Sequence, residues 1–243
     1  MKIQDQVVLI TGGARGLGKA ITQAFAAEGA RVVINYYQSE DAAKALAQEI
    51  GERAVALQAD VRDAGAVAAM LRQAEVYHKA PVTTLVNNAL INYRFDPSQN
   101  TQYEALAWEN MEAQLTGTLK GAHHCIQACL PSMKAAKFGR IIQIGTNLFH
   151  NPVVPYYDYT TAKAALLGFS RNLARELGAH NITVNMLSGG LLRTTDASAA
   201  TSDAVFDIIQ ANTPLQRVTS LKNWPMPACF LHLPGHAPSP VRT

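Results

Sequence analysis

Residues 7–18 read VVLITGGARGLG. Residues 7–11 are a short β-branched run closed by a glycine pair, the pattern of a buried strand. Residues 18–29, GKAITQAFAAEG, put Ile21, Ala24 and Phe25 on one helical face and stop at a glycine. A glycine-rich loop, residues 11–18, thus opens the first strand–helix unit. Gly12 and Gly18 let the backbone turn and pack closely there, and Gly16 removes a Cβ where a pyrophosphate would approach. The helix N-terminus behind them supplies unpaired N–H groups and partial positive charge. Gly13, Ala14, Arg15 and Leu17 complete the loop that would wrap the phosphates. An ordinary glycine turn is the weaker reading in this position.

The same rhythm continues along the chain. Strands are predicted at 31–35, 54–60, 83–87, 139–145 and 182–187. Helices are predicted at 39–50 with Ser39 as N-cap, at 64–78, over a long stretch 103–137, and at 158–179. Strands alternating with helices predict an α/β fold, a Rossmann-type doubly wound parallel sheet in three layers. Residues 1–219 read as a single domain.

Bulk properties narrow the function. With 243 residues, 48% of them hydrophobic, the chain can bury one sizeable core. A net charge of +3 comes from scattered basic residues, which speaks against a nucleic-acid surface. Three cysteines, Cys125, Cys129 and Cys229, suit a reducing compartment better than a disulfide scaffold. No stretch approaches the roughly 20 apolar residues that cross a bilayer, and the N-terminal apolar run is too short for a signal peptide. The expected location is the cytoplasm. The stretch HHCIQAC, residues 123–129, hints at a metal site, but no second ligand pair follows, so a plain helix and no metal are expected. Trp108 and Met111, three apart, read as packing residues.

Residues 155–163, PYYDYTTAK, hold three tyrosines and a lysine. Tyr159 and Lys163 are four apart on a predicted helix and share a face; Tyr156 and Tyr157 have no such partner. An ammonium beside a phenol favours the ionised phenol, so Lys163 is expected to lower the Tyr159 pKa. A phenol so placed can act as a general acid or base.

The glycine loop has the spacing TGxxxGxG. Further motifs follow in order: Asp60-Val61 after the third strand, Asn87-Asn88-Ala89 after the fourth, Tyr159-Thr160-Thr161-Ala162-Lys163, and Ser188-Gly189-Gly190 followed by Thr194. With these, residues 1 to about 219 resemble the short-chain dehydrogenases/reductases, and most of all the 3-oxoacyl-acyl-carrier-protein reductases of fatty acid biosynthesis. The resemblance implies that Asp60 and Val61 contact adenine and that Asn88 and Ala89 lie near the adenosine and ribose. It implies that Lys163 also binds the nicotinamide ribose, and that Leu192 and Thr194 touch the carboxamide. It places Thr146, where the family has serine, beside the substrate carbonyl, and Gln114, where the family has asparagine, in the proton relay. Leu90 stands where the family has glycine. Residues 195–212 would form a mobile lid. An acyl-thioester substrate, acyl carrier protein as a partner, and a homodimer or homotetramer are implied as well.

Charge argues for NADPH over NADH. A carboxylate at the end of the second strand would accept from a ribose 2′-hydroxyl and repel a 2′-phosphate. The chain has Asn35, Tyr36 and Tyr37 there, no acid before Glu40, and Arg15 in the loop. Two other readings stay open: another ketone or alcohol substrate for the same chemistry, and a cofactor-binding protein with little turnover.

From residue 220 the resemblance stops. The tail carries five prolines from Pro225 onward and no helix or strand period. Codons permitted for residues 221–229, regrouped by one base, spell PEELADAC, a helical stretch like the family's continuation. A reading-frame shift near Ser220 is the expectation, which the DNA sequence tests, and the family's last helix and strand are expected to be missing.

Overall fold

The structure is a computed structural model that describes residues 1–91, 101–193, 195, 198–213 and 215–221. Its centre is β1 (Val7–Ile10), with every residue buried. Side chains alternate across a strand. Val7 and Leu9 join a cluster with Val67, Met70, Cys125, Ile126 and Cys129 on one face. Val8 and Ile10 join Ile21, Phe25, Ala43 and Leu46 on the other. Both faces are covered, so the strand is apolar throughout rather than alternating.

The remaining strands are β2 (Arg31–Tyr36), β3 (Ala54–Gln58), β4 (Thr84–Asn87), β5 (Gly139–Ile144) and β6 (Ile182–Leu187). All pairings are parallel, in the order β3-β2-β1-β4-β5-β6. The helices are α1 (Gly16–Ala27), α2 (Glu40–Ile50), α3 (Ala64–His78), α4 (Trp108–Leu115), α5 (Gly121–Ala135), α6 (Tyr157–Leu177) and α7 (Asp203–Ala211). This is the three-layer doubly wound sheet that the alternation predicts. Among the described residues no seventh strand follows β6. Arg193 and Ser220 form an isolated parallel bridge. Residues 222–243, and with them the frame-shift reading, lie outside the described residues.

Several local expectations need correction. The long helical stretch expected over 103–137 is present from Trp108 to Ala135, but it starts later than expected and is interrupted by a π turn. A short 3-10 turn spans Tyr103–Ala105, α4 starts at Trp108, and a π-helical turn over Thr116–Lys120 joins α4 to α5. A Cβ on Gly117, inside that turn, would overlap the Ile91 side chain, so the absent side chain lets the loop after β4 pack against the turn. Ser39 stands at the N-cap of α2, yet its side chain makes no capping bond. Asp63 does cap α3, accepting from Gly65 N and Ala66 N. Trp108 is 64% exposed, so it is not a core residue of this chain. The predicted lid contains α7, whose Phe206 is buried with the Arg193 guanidinium 4.9 Å from its ring centre.

Candidate active site

The strand order reverses between β1 and β4, which opens a crevice at their carboxyl ends. Thr11 and Asn88 stitch its two sides together. Thr11 Oγ1 accepts from Asn88 N at 2.9 Å and Ala89 N at 3.0 Å, and Asn88 Nδ2 donates to Thr11 O at 3.0 Å and Gly12 O at 3.2 Å. Asn35 does the same toward β2 and β3. Its Oδ1 accepts from Gly12 N at 3.2 Å, and its Nδ2 donates to Ala59 O at 3.0 Å. Only 2% of Asn35 is exposed, so its amide serves to hold the loop.

Gly12 and Gly16 sit at φ +61° and +50°, a region that L side chains rarely adopt. A Cβ on Gly16 would meet nothing within 4 Å, so open space lies over the start of α1. Gly18 is different: its Cβ would overlap the Gly12 carbonyl oxygen. Thr22 Oγ1 ties the two ends of the loop by donating to Gly13 O at 3.1 Å and Gly18 O at 2.9 Å. Ala14 is buried, Leu17 half-buried and Arg15 exposed. Tyr37 is 51% exposed beside this loop's edge of the sheet. Asp60 is half-buried and grips Arg62, whose guanidinium holds its carboxyl below the usual carboxylate range. Val61 is half-buried, and its carbonyl lies 3.1 Å from His124 Nδ1.

Across the crevice α6 carries Tyr159 and Lys163, both buried. Tyr156 is buried outside the helix, and Tyr157 turns toward solvent. Thr146, two residues past β5, faces Tyr159, and its side chain acts to lower the phenol's pKa. The net shift of Tyr159 runs opposite to the expected direction. Burial pushes the phenol up to about 12, and only the Thr146 side chain opposes it. Burial also lowers Lys163 to about 8. The Lys163 Nζ donates to Ile144 O at 2.7 Å and stands 5.8 Å from the Tyr159 ring centre, so the ammonium is spent on a carbonyl rather than on the phenol.

Gln114, at the end of α4, is buried with its Oε1 unpartnered. A cavity of about 10 Å³ between the crevice and α6 is lined by Thr11, Asn87, Ala89, Thr118, Lys163 and Leu166. Asn87 Nδ2 and Thr118 Oγ1 are buried there without partners. Sequence reasoning passes over Thr118 and Arg62, because their significance comes only from segments far away in the chain. Leu192 is buried after β6, and Thr194 lies outside the described residues. Among the described residues no three His, Cys, Asp or Glu cluster to hold a metal. Burial pushes the Cys125 thiol up to about 12 and raises the Cys129 thiol well above its ordinary value, which leaves both unreactive. No helix among the described residues is long and apolar enough to cross a membrane.

A family model described as short chain dehydrogenase matches residues 6–205. The chain is 34% identical over 209 residues to the 3-oxoacyl-[acyl-carrier-protein] reductase of Synechocystis sp., a match covering 84% of this chain and 81% of that protein. Among solved structures it is similar to a blue fluorescent protein from a metagenomic library in complex with NADPH. That match has a TM-score of 0.84 and 32% identity, over 96% of this chain and 93% of the other. It is also similar to a short chain dehydrogenase from Burkholderia cenocepacia J2315 in complex with NADP, with a TM-score of 0.83 and 30% identity over the same shares. A family match over most of the sequence, on a switch-point crevice with a glycine loop on one side and a tyrosine–lysine helix on the other, means that this chain belongs to the short chain dehydrogenase family.

Proposed function

We propose that the chain is an NADPH-dependent carbonyl reductase whose substrate is a 3-oxoacyl thioester, converted to the 3-hydroxyacyl product. The convergence of Tyr159, Thr146 and Lys163 at the crevice carries this reading. The loop suits a dinucleotide phosphate, since Gly16 leaves open space over the N-terminus of α1 and no acid stands at the end of β2. Gly12–Gly18, Asn88 and Ala89 would hold the dinucleotide, with Arg15 toward a 2′-phosphate. When bound, the reduced nicotinamide supplies the hydride.

The protein's own part is proton delivery and orientation. The Tyr159 hydroxyl, kept protonated by burial, donates to the substrate carbonyl oxygen. Thr146 offers that oxygen a second hydrogen bond and fixes the phenol. Lys163 braces the helix against β5 through Ile144. The thioester substrate is supported by the names of the curated relatives, and acyl carrier protein follows as a partner. A homodimer or homotetramer is supported by exposed aromatic surface at Tyr103, Trp108 and Tyr157. A cytoplasmic location accords with this chemistry.

A second reading, cofactor binding with little turnover, is favoured by Gln114, whose unpartnered amide oxygen is one methylene away from the family's asparagine. NADPH absorbance, followed with the purified chain and an acetoacetyl thioester, separates the two. Oxidation that is abolished in Tyr159→Phe, with NADPH binding kept, is the expected result. Unchanged turnover in that variant refutes the assignment of Tyr159, and NADPH binding without oxidation in the wild type favours the second reading.

A further inference from the structure

At the outer edge of the crevice, Arg62 is held in a fixed pose. Its Nε lies 2.9 and 3.0 Å from the two Asp60 carboxylate oxygens, and its Nη2 lies 2.6 Å from Oδ2. The Arg62 backbone N–H also donates to Asp60 Oδ1 at 2.9 Å, closing a tight turn after β3. The guanidinium carbon stands 5.6 Å from the Tyr37 ring centre, within cation–π range. Tyr37 directly follows β2, and its carbonyl accepts from Gln58 Nε2 at 3.0 Å. The ends of β2 and β3 are thereby locked together, and Asn35 links both to the glycine loop.

This end of β2 is where a dinucleotide's ribose 2′ position falls in a doubly wound sheet, and an arginine close by accommodates a 2′-phosphate. Arg15 is the arginine that the linear sequence offers. The fold brings a second one. Asp60 takes the Nε–H and one N–H of Nη2, so the two N–H groups of Nη1 are not used by Asp60, and the Tyr37 side chain also interacts with the guanidinium. The first acids after β2, Glu40 and Asp41, open α2, and Glu40 is already paired with Lys44 at 2.6 Å, while Asp63 caps α3. The bland alternative is that Arg62 merely neutralises Asp60 in a local turn. The Tyr37 contact argues against it, because a local turn does not need a partner 25 residues away in sequence.

We propose that Arg62 is a specificity-determining residue for the 2′-phosphate of the cofactor, held for that task by Asp60 below and the Tyr37 ring beside it. Asp60 is then a positioning residue. Its charge, which alone would repel the phosphate, is cancelled by the arginine that it orients. The assignment rests on the NADPH reading above.

Binding, not turnover, tests it. NADPH and NADH are titrated by nucleotide fluorescence into the wild type, Arg62→Ala, Asp60→Asn and Arg15→Ala, with 2′,5′-ADP and 5′-AMP as competitors. The wild type is expected to prefer NADPH. Arg62→Ala is expected to lose about tenfold in NADPH affinity, the scale of one charge-assisted hydrogen bond, and to change by less than about twofold for NADH. Asp60→Asn, which frees the guanidinium, is expected to lose part of the same preference, and all these differences should shrink as salt is raised. A preference unchanged in Arg62→Ala, or lost only in Arg15→Ala, overturns the proposal, and so does equal weakening of NADPH and NADH. A wild type without preference, or without binding, refutes the NADPH reading instead. If Arg62→Ala does not fold by circular dichroism, Arg62→Gln carries the same test.

Discussion

The pH dependence of turnover discriminates between two accounts of the tyrosine–lysine pair. Lys163 is buried and lowered from 10.5 to about 8, while Tyr159 is raised from 10.0 to about 12. The Lys163 shift, 10.5 − 8, is worth about 3 kcal/mol at 1.36 kcal/mol per pH unit. If the charged lysine is needed, kcat/KM for reduction holds below pH 8 and falls about tenfold per unit above it. Tyr159 remains protonated throughout that range. The oxidation rate should fall in the same window, since it loses the same ammonium. Were Tyr159 itself the group titrating near 8, oxidation would rise there while reduction fell. Initial rates in both directions from pH 6 to 10, with NADPH affinity measured at each pH, decide the matter. A flat reduction profile to pH 10, or opposite limbs near 8, refutes the account. Stability has its own signature. Between about 8 and 10.5 the unfolded chain binds the lysine proton that the folded chain has released, so Lys163 makes stability rise with pH there. Between 10 and about 12 the folded chain retains the tyrosine proton that the unfolded chain loses, so Tyr159 makes stability fall.

Two further perturbations follow from the site. Gly18→Ala drives a Cβ into the Gly12 carbonyl and should destabilise by about 1–3 kcal/mol while weakening NADPH binding. Gly16→Ala meets no atom and carries only the left-handed strain of about 1–2 kcal/mol; urea unfolding with and without NADPH compares the two. Gln114→Asn withdraws the amide by one methylene and should raise kcat by about 10- to 100-fold if Gln114 is what limits proton delivery, because a displacement near an ångström can cost up to about a hundredfold in rate. An unchanged kcat would remove Gln114 from the relay.

The bounds of α3 and β6 can be read from the sequence to the residue, because a strong period there agrees with the caps and glycines around it. The long helical stretch was legible, but its late start and its π turn were not. Nothing in residues 116–120 announces a π turn, and the close approach of Ile91 to Gly117 inside it comes from a loop some 25 residues earlier. The glycine loop, Tyr159 and Lys163 were legible as local spacings. The direction of their pKa shifts was not, since spacing reports a neighbour's charge whereas burial depends on all the elements packed around α6. Ser39 shows the opposite limit: a favoured residue in the right place whose side chain makes no capping bond.

The spacings of Thr146, Tyr159 and Lys163 have a common geometric origin. The Tyr159 phenol faces the Thr146 side chain, and Lys163 Nζ donates to Ile144 O. Going forward four residues on α6 therefore means going back two residues along the chain leaving β5. Four residues of helix rise about 6 Å, and two residues of extended chain cover about 6.6 Å. The rises match, and the reversal follows from topology. β5 and β6 are parallel neighbours, so the helix that connects them must run antiparallel to β5. A tyrosine and lysine four apart can thus each find a partner at the end of one strand, and a spacing of three or five would leave one of them without. Thr146 keeps its hydroxyl in that register, so replacing the family's serine by threonine leaves the pairing intact. Gln114 arrives from α4, which shares no such register with β5, and its amide oxygen is buried without a partner.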